Sequence, residues 1–279
     1  MNIAKTKAEL KHILAELAQP VGFVPTMGAL HDGHLSLVEA SKERGLYTVA
    51  SIFVNPTQFN DPKDYEKYPV DTTADLQKLE SVGCDLAFLP SREEIYGRQH
   101  DPKYLHDFGH LEHAFEGAYR PGHFRGVGQV VHLLFEAVHP MVAFFGEKDF
   151  QQLQVIRALV KKMEANIEIV GLPTIREADG LAMSSRNRRL NEVQREQSVA
   201  LYRSLVLAKE RFGQQGVAQI KAEVDGLFEA ASELRLEYFD IIDPERFEPV
   251  ESKETCSHPH AVIAAYAGEV RLIDNMALA

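Results

Sequence analysis

The sequence predicts an α/β protein, a doubly wound parallel sheet followed by a smaller carboxyl-terminal α+β domain. Three observations carry this expectation. Short apolar runs alternate with helix-patterned segments from Val21 to about Pro173. Those runs are almost continuously apolar rather than alternating, as in strands buried on both faces. Beyond Leu181 the order changes to helices followed by β-like runs, the mark of a separate unit.

The elements follow in chain order. The start, MNIAKTKAELKHILAEL, sets Leu10, Ile13, Leu14 and Leu17 at helix spacing with Glu9 and Glu16 between them, which resembles neither a signal core nor an acid-poor transit peptide. VGFVP (21–25) reads as a strand, and Leu35 to Gly45 as a helix. TVASIFVN (48–55) is the next strand, followed by a helix carrying Leu76, Leu79 and Val82. DLAFLP (85–90) precedes a helix with Val127, Val130, Val131, Leu134 and Val138 on one face. MVAFFG (141–146), a helix with Leu153, Ile156, Leu159, Val160 and Met163, and IEIVGLP (167–173) complete the sheet. Leu201, Leu205, Ala208 and Phe212 then mark one helix, and Val217, Ile220, Val224 and Phe228 another. LEYFDIID (236–243), AVIAAYA (261–267) and VRLIDNM (270–276) read as strands, the last two joined as a hairpin across Gly268-Glu269. Pro173 and Gly180 punctuate LPTIREADG (172–180), which divides the chain into residues 1–175 and 176–279.

Composition narrows the function. A chain of 279 residues, 45% hydrophobic and 25% charged, is an ordinary globular protein. Its formal net charge of −11 opposes the phosphate attraction behind nucleic-acid binding. No apolar run approaches the ~18 residues of a membrane span, since Glu136, His139 and Pro140 break the longest. Two distant cysteines, Cys84 and Cys256, form neither a disulfide framework nor a CxxC site and read as buried thiols in a reducing cytoplasm. A soluble cytoplasmic protein is expected, with neither nucleic acid nor membrane as partner.

In open parallel sheets ligands bind beyond the carboxyl ends of strands, so the residues just after each run are the candidates. PTMGALHDGH (25–34) comes first. Gly28 and Gly33 let backbone approach a ligand, the helix that follows offers unpaired N–H groups to an anion, and His31 and His34 add donors. The same residues also suit a tight turn with a polar rim. NPTQFN (55–60) offers the amides of Asn55 and Gln58 for a hydroxyl or carboxylate, although Asn-Pro turns are common. In GEKDFQQ (146–152), Gly146 permits close approach and Lys148 is a flexible charge suited to phosphate. Asp149 can cap the next helix, whose first turn holds Gln151 and Gln152. ADGLAMSSRN (178–187) sets Ser184 and Ser185 beside Arg186 on a loop that can close over a polyphosphate. HLEH (110–113) is not the HExxH zinc pattern. RGVGQ lacks the rest of GxGxxG, and no Walker A or GxSxG is present.

Together, PTMGALHDGH, FVNPTQF, RPGHFRGV, FGEKDFQQ and READGLAMSSRN, in this order, resemble the pantothenate synthetase family, whose members condense pantoate with β-alanine at the expense of ATP. In that family HxGH and MSSR correspond to the HIGH and KMSKS elements of a nucleotidyltransferase superfamily with a Rossmann-like fold. The resemblance implies that Met27, Gly28, Ala29, Leu30, His31, Asp32, Gly33 and His34 line the ATP site, with His34 as proton donor and phosphate contact. It assigns Gly146, Glu147, Lys148 and Asp149 to the nucleotide, Ile175 to adenine, and Met183, Ser184, Ser185 and Arg186 to the phosphates. Gln58 then meets both pantoate and β-alanine, Gln152 meets pantoate, and Asn55 joins that acid pocket. His34, Lys148 and Arg186 are the expected catalytic groups. Magnesium is the implied metal, with Asp75 suggested for it by its place in TTADLQKL, and a homodimer is the implied assembly. Gln129 and Met141 depart from the family pattern outside these motifs. The chemistry needs no protein nucleophile, because pantoate's own carboxylate attacks the α-phosphorus. Another adenylyltransferase of the superfamily, or a nucleotide sensor without turnover, shares these features; a basic RNA-binding appendage of a tRNA synthetase does not appear.

Overall fold

The protein is described from a computed structural model over residues 1–59, 65–97 and 106–279. The chain divides into two compact units, Met1–Pro173 and Thr174–Ala279.

The first unit is built on six parallel strands: β1 (Asn2–Ala4), β2 (Val21–Thr26), β3 (Tyr47–Ile52), β4 (Leu86–Phe88), β5 (Val142–Gly146) and β6 (Glu168–Leu172). Their order is β1-β4-β3-β2-β5-β6, so the chain winds outward in one direction from β2 and then in the other from β5. Alternate residues feed opposite cores. Phe23, Val49, Phe88 and Phe145 pack on one face, while Val24, Ala50, Ala87 and Phe144 pack on the other. Burial on both sides explains the continuous apolar runs.

The amino terminus differs from the expectation. It begins as a strand, Asn2–Ala4, paired parallel with Leu86–Phe88, and only then enters the helix Lys7–Ala15. Three residues are too few to show a period. A capping box separates the two elements: Thr6 Oγ1 accepts from the Glu9 backbone N–H at 3.1 Å, and Glu9 Oε2 accepts from that of Thr6 at 3.1 Å.

The second unit has four strands: β7 (Leu234–Asp243), β8 (Glu248–Pro249), β9 (His260–Ala267) and β10 (Val270–Ala277). They form an antiparallel sheet of order β10-β9-β7-β8, on which the helices Val199–Arg211 and Val217–Glu229 pack. Ala267 pairs with Val270 across the expected hairpin, and Gly268 supplies the left-handed residue of its turn at φ 56°. Leu201, Leu205, Ile220 and Val224 meet Ile241 and Ile263 in its core. Among the described residues, no helix is long and apolar enough to cross a membrane.

Candidate active site

The reversal of winding lies between β2 and β5, and β3 is the other neighbour of β2. Three adjacent strands therefore deliver their carboxyl ends to one edge, the switch-point crevice where ligands of open α/β sheets bind. Met27–His34 follow β2, Asn55–Gln58 follow β3, and Gly146–Gln152 follow β5.

The stretch after β2 is held in an uncommon conformation. Gly28 and Ala29 are both left-handed, at φ 78° and 51°. For alanine that region costs on the order of 1–2 kcal/mol, so something outside the loop must stabilise it. Asp75, which is 2% exposed on the helix Thr72–Ser81, does so. Its Oδ2 accepts from the Ala29 N–H and its Oδ1 from the Leu30 N–H, both at 2.8 Å. Sequence position suggests Asp75 for magnesium; the structure shows each of its oxygens receiving a backbone N–H of this loop. Lys78, one turn on, donates from Nζ to the Leu30 carbonyl at 2.5 Å.

His31 then caps the helix Asp32–Glu43, with its own carbonyl accepting from the His34 N–H at 2.7 Å. The His34 Nδ1 accepts from the His31 backbone N–H at 3.3 Å. A nitrogen that accepts carries no proton, so the neutral ring keeps its proton on Nε2 and presents it as a donor. Burial, and then the positive charges of Lys148 and Lys78, lower the His34 pKa to about 4. At neutral pH His34 is therefore a hydrogen-bond donor rather than an imidazolium acid. The rings of His31 and His34 lie 4.1 Å apart at the helix start, where the dipole favours an anion.

This ionisation has a direct test. The folded pKa of about 4 lies below the ordinary 6.5, so between those values the unfolded chain binds the proton that the folded chain refuses. The His34 contribution to stability is full above about pH 6.5 and is lost as pH falls to about 4. A histidine NMR titration should show an imidazole with a pKa of about 4, still neutral at pH 5, whose resonance disappears in His34→Asn. Titration of every imidazole near pH 6.5 would refute the buried neutral ring.

After β5, Lys148 occupies the 3₁₀ turn Glu147–Asp149. Its influence on His34 brings the two candidates into one electrostatic site. Asp149, expected as a helix cap, makes no capping bond; its Oδ1 lies 3.6 Å from Lys148 Nζ. Gly146 has an ordinary φ of −79°, and a Cβ there would meet no atom within 4 Å. Among the described residues no packing constraint requires glycine at this position.

The four amides divide by their bonds. Asn55 is fully buried and turned inward: Oδ1 accepts from Tyr96 Oη at 2.8 Å and Thr57 Oγ1 at 3.1 Å, and Nδ2 donates to the Gly126 carbonyl at 3.4 Å. These bonds cap and shape the turn Pro56–Gln58, which carries Gln58. Gln151 is likewise internal, accepting from the Glu116 N–H and donating to the carbonyls of Leu111 and Ala114. Gln58 and Gln152 make no side-chain hydrogen bond among the described residues. Asn60 lies outside the described residues. Sequence reasoning misses what aims Gln58: its carbonyl receives Arg120 Nη2 at 3.0 Å and lies 2.8 Å from His123 Nδ1. RPGHFRGV is recognisable as a motif, yet a motif names no partner 65 residues away. Within HLEH, Glu112 is buried and paired with Arg125 at 2.5 Å.

In the second unit, the segment before MSSR is a small hairpin: Arg176 bridges Ala182, and the Met183 N–H donates to Ile175 O at 3.0 Å. These bonds explain why Ile175, expected in the first domain, belongs with the second unit. Arg176 anchors the hairpin through Asp274 at 2.6 and 3.0 Å. Asp179 is held below the usual carboxylate range by Arg195, which donates to it at 2.7 and 3.1 Å. Ser184 Oγ accepts from the Arg186 N–H at 3.2 Å, starting the turn Ser185–Arg189. Ser185 is buried there.

With this geometry in place, comparison with known proteins decides the family. Residues 2–277 match the model of the family described as pantoate-beta-alanine ligase. The chain belongs to the pantoate-β-alanine ligase family. Pantothenate synthetase of Bacteroides thetaiotaomicron is 46% identical over 274 residues, covering 98% of this chain and 96% of that protein. That of Thermosipho africanus is 44% identical over 281 residues, covering 99% of both. The crystal structure of pantothenate synthetase from Thermus thermophilus superposes with a TM-score of 0.93 at 42% identity, over 100% of this chain and 99% of the other. The Francisella tularensis ligase, crystallised with β,γ-ATP and β-alanine, gives a TM-score of 0.84 at 34% identity over 100% and 98% of the chains. This member of the family thus carries its HxGH, NPTQ and GEKD stretches on the three strand ends at the switch point.

Proposed function

We propose that this ligase joins (R)-pantoate to β-alanine in two steps at the β2/β5 switch point, with ATP as the activating substrate. In the first, a pantoate carboxylate oxygen attacks the α-phosphorus and diphosphate leaves, giving pantoyl-adenylate. In the second, the β-alanine amine attacks the acyl carbon, loses a proton and expels AMP. The observation that carries this reading is the neutral, Nε2-protonated His34 under the charge of Lys148, a donor and a cation serving one anion site at a helix start. Donors and cations aimed at developing phosphate charge are what this chemistry requires.

The residue roles follow that logic. Met27–His34 and Gly146–Asp149 hold the nucleotide, with His34 and Lys148 on its phosphates. Gln58 and Gln152 receive pantoate, Gln58 also contacting β-alanine; the family resemblance and side chains without hydrogen bonds among the described residues support this. Met183–Arg186 supply further phosphate contacts and Ile175 meets adenine; support here is the family resemblance and the anchored base of that loop. Among the described residues no three His, Cys, Asp or Glu side chains are placed to hold a metal. Magnesium therefore fits this reading as a companion of the triphosphate, as in other phosphate sites with few protein ligands. The same resemblance supports a homodimer. Two free thiols, Cys84 buried, suit a cytoplasmic location.

ATP–diphosphate exchange tests the reading. Exchange should require pantoate and proceed without β-alanine, and adding β-alanine should yield AMP and pantothenate. ATP binding with neither outcome would make the protein a nucleotide sensor and end this proposal.

A further inference from the structure

We infer that Asp75 and Lys78 are positioning residues for the adenylation step, a two-point brace that fixes the loop Gly28–Leu30 and so aims His34 at the nucleotide. The inference rests on the function proposed above and adds two residues to its machinery. Asp75 grips two successive backbone N–H groups and Lys78 the carbonyl that follows them, so donors and acceptor of one peptide run are clamped from one helix face.

Three features distinguish this from ordinary packing. A carboxylate 2% exposed is costly to bury, and Asp75 has no ion-pair partner among the described residues. An apolar side chain would hold a helix against a loop at less cost; a carboxylate is needed only to receive both N–H groups. The gripped stretch includes the residues in left-handed conformation, and a Cβ on Gly28 would sit 2.9 Å from Asp75 Oδ2, so glycine and brace are fitted to each other. The charges also fit. Asp75 brings a negative charge next to an anion site, and Lys78 sets a positive one beside it that is felt at His34. Lys78 thereby keeps the phosphate side of the loop from becoming repulsive.

The two halves of the brace predict opposite kinetic signatures. Lys78→Met leaves the Asp75 charge uncompensated and should raise KM for ATP in the exchange reaction by about tenfold, with Lys78→Arg recovering most of it. Removal of that nearby cation should also raise the His34 pKa in the ligand-free protein. Asp75→Asn turns one acceptor into a donor facing an N–H; it should lower kcat about tenfold or more without raising KM for ATP. Thermal melting and circular dichroism report whether each variant is folded, and Lys78→Met remains informative where Asp75→Asn is not. Wild-type kcat and KM in both variants, with an unmoved His34 titration, would overturn the inference, as would a loss of melting temperature alone. Absence of exchange in the wild-type protein would instead end the proposed function, while the His34 titration of Lys78→Met would still decide the brace.

Discussion

Replacing His34 with alanine is expected to lower kcat for pantoate adenylation by about 10²–10³, the scale associated with one donor to developing charge. The ring performs two separable tasks. Nδ1 accepts from the His31 backbone N–H, which leaves the proton on Nε2 as the donor of the proposed phosphate contact. Asparagine places its carbonyl oxygen near the position of Nδ1 and has nothing at Nε2, so His34→Asn keeps the internal bond and removes only the donor. Both variants should lose kcat to a similar degree, whereas only His34→Ala should also lose stability, by about 1 kcal/mol for the unpaired N–H. Between pH 6 and 8 wild-type activity should show no inflection from this residue, because its pKa of about 4 keeps it neutral throughout. Steady-state kinetics of ATP–diphosphate exchange with thermal melts decide the matter. Near-normal kcat in both variants would reduce His34 to a turn residue.

The parts of the fold legible in the sequence are those written by burial. Strands with Phe23 and Val24, or Phe144 and Phe145, feeding opposite cores have no polar face, so their composition alone marks them. Strand ends can then be searched for chemistry, and HxGH and GEKD stand out because helix starts and lysines have intrinsic affinity for phosphate. What the sequence does not disclose is direction. Asn55 and Gln58 are both amides in one turn, yet Asn55 turns inward to Tyr96 while the Gln58 amide makes no hydrogen bond among the described residues. Asp75 reads as a solitary carboxylate, because the N–H groups it receives are 45 and 46 residues away and belong to main chain. Backbone partners leave no trace in side-chain identity. Asp149 illustrates the converse, a residue type favourable for a cap that pairs with Lys148 instead.

The glycines of RGVGQ form no nucleotide fingerprint; they let a helix approach two other segments. On the helix His123–Val138, a Cβ at Gly126 would lie 2.5 Å from the Thr57 carbonyl oxygen, and one at Gly128 2.5 Å from the Phe108 ring. The Phe108 ring can rotate away, but the Thr57 carbonyl is main chain of the turn Pro56–Gln58, so it can yield only by moving that turn. Gly126→Val should therefore destabilise the first unit by about 2–3 kcal/mol through overpacking. The thermal midpoint should fall by roughly 5 °C or more. The same displacement breaks the Asn55 Nδ2 bond to the Gly126 carbonyl and shifts Gln58 relative to Arg120 and His123. Misplacement of one substrate contact by about 1 Å is enough to cost around 10²-fold in rate, so kcat/KM for pantoate should fall on that scale while ATP affinity changes little. Pantoate and ATP saturation curves on the purified variant check both halves. A variant that melts early but keeps its kcat/KM for pantoate would show that Gln58 is not a pantoate contact, and one that melts normally would show that the helix does not need this glycine.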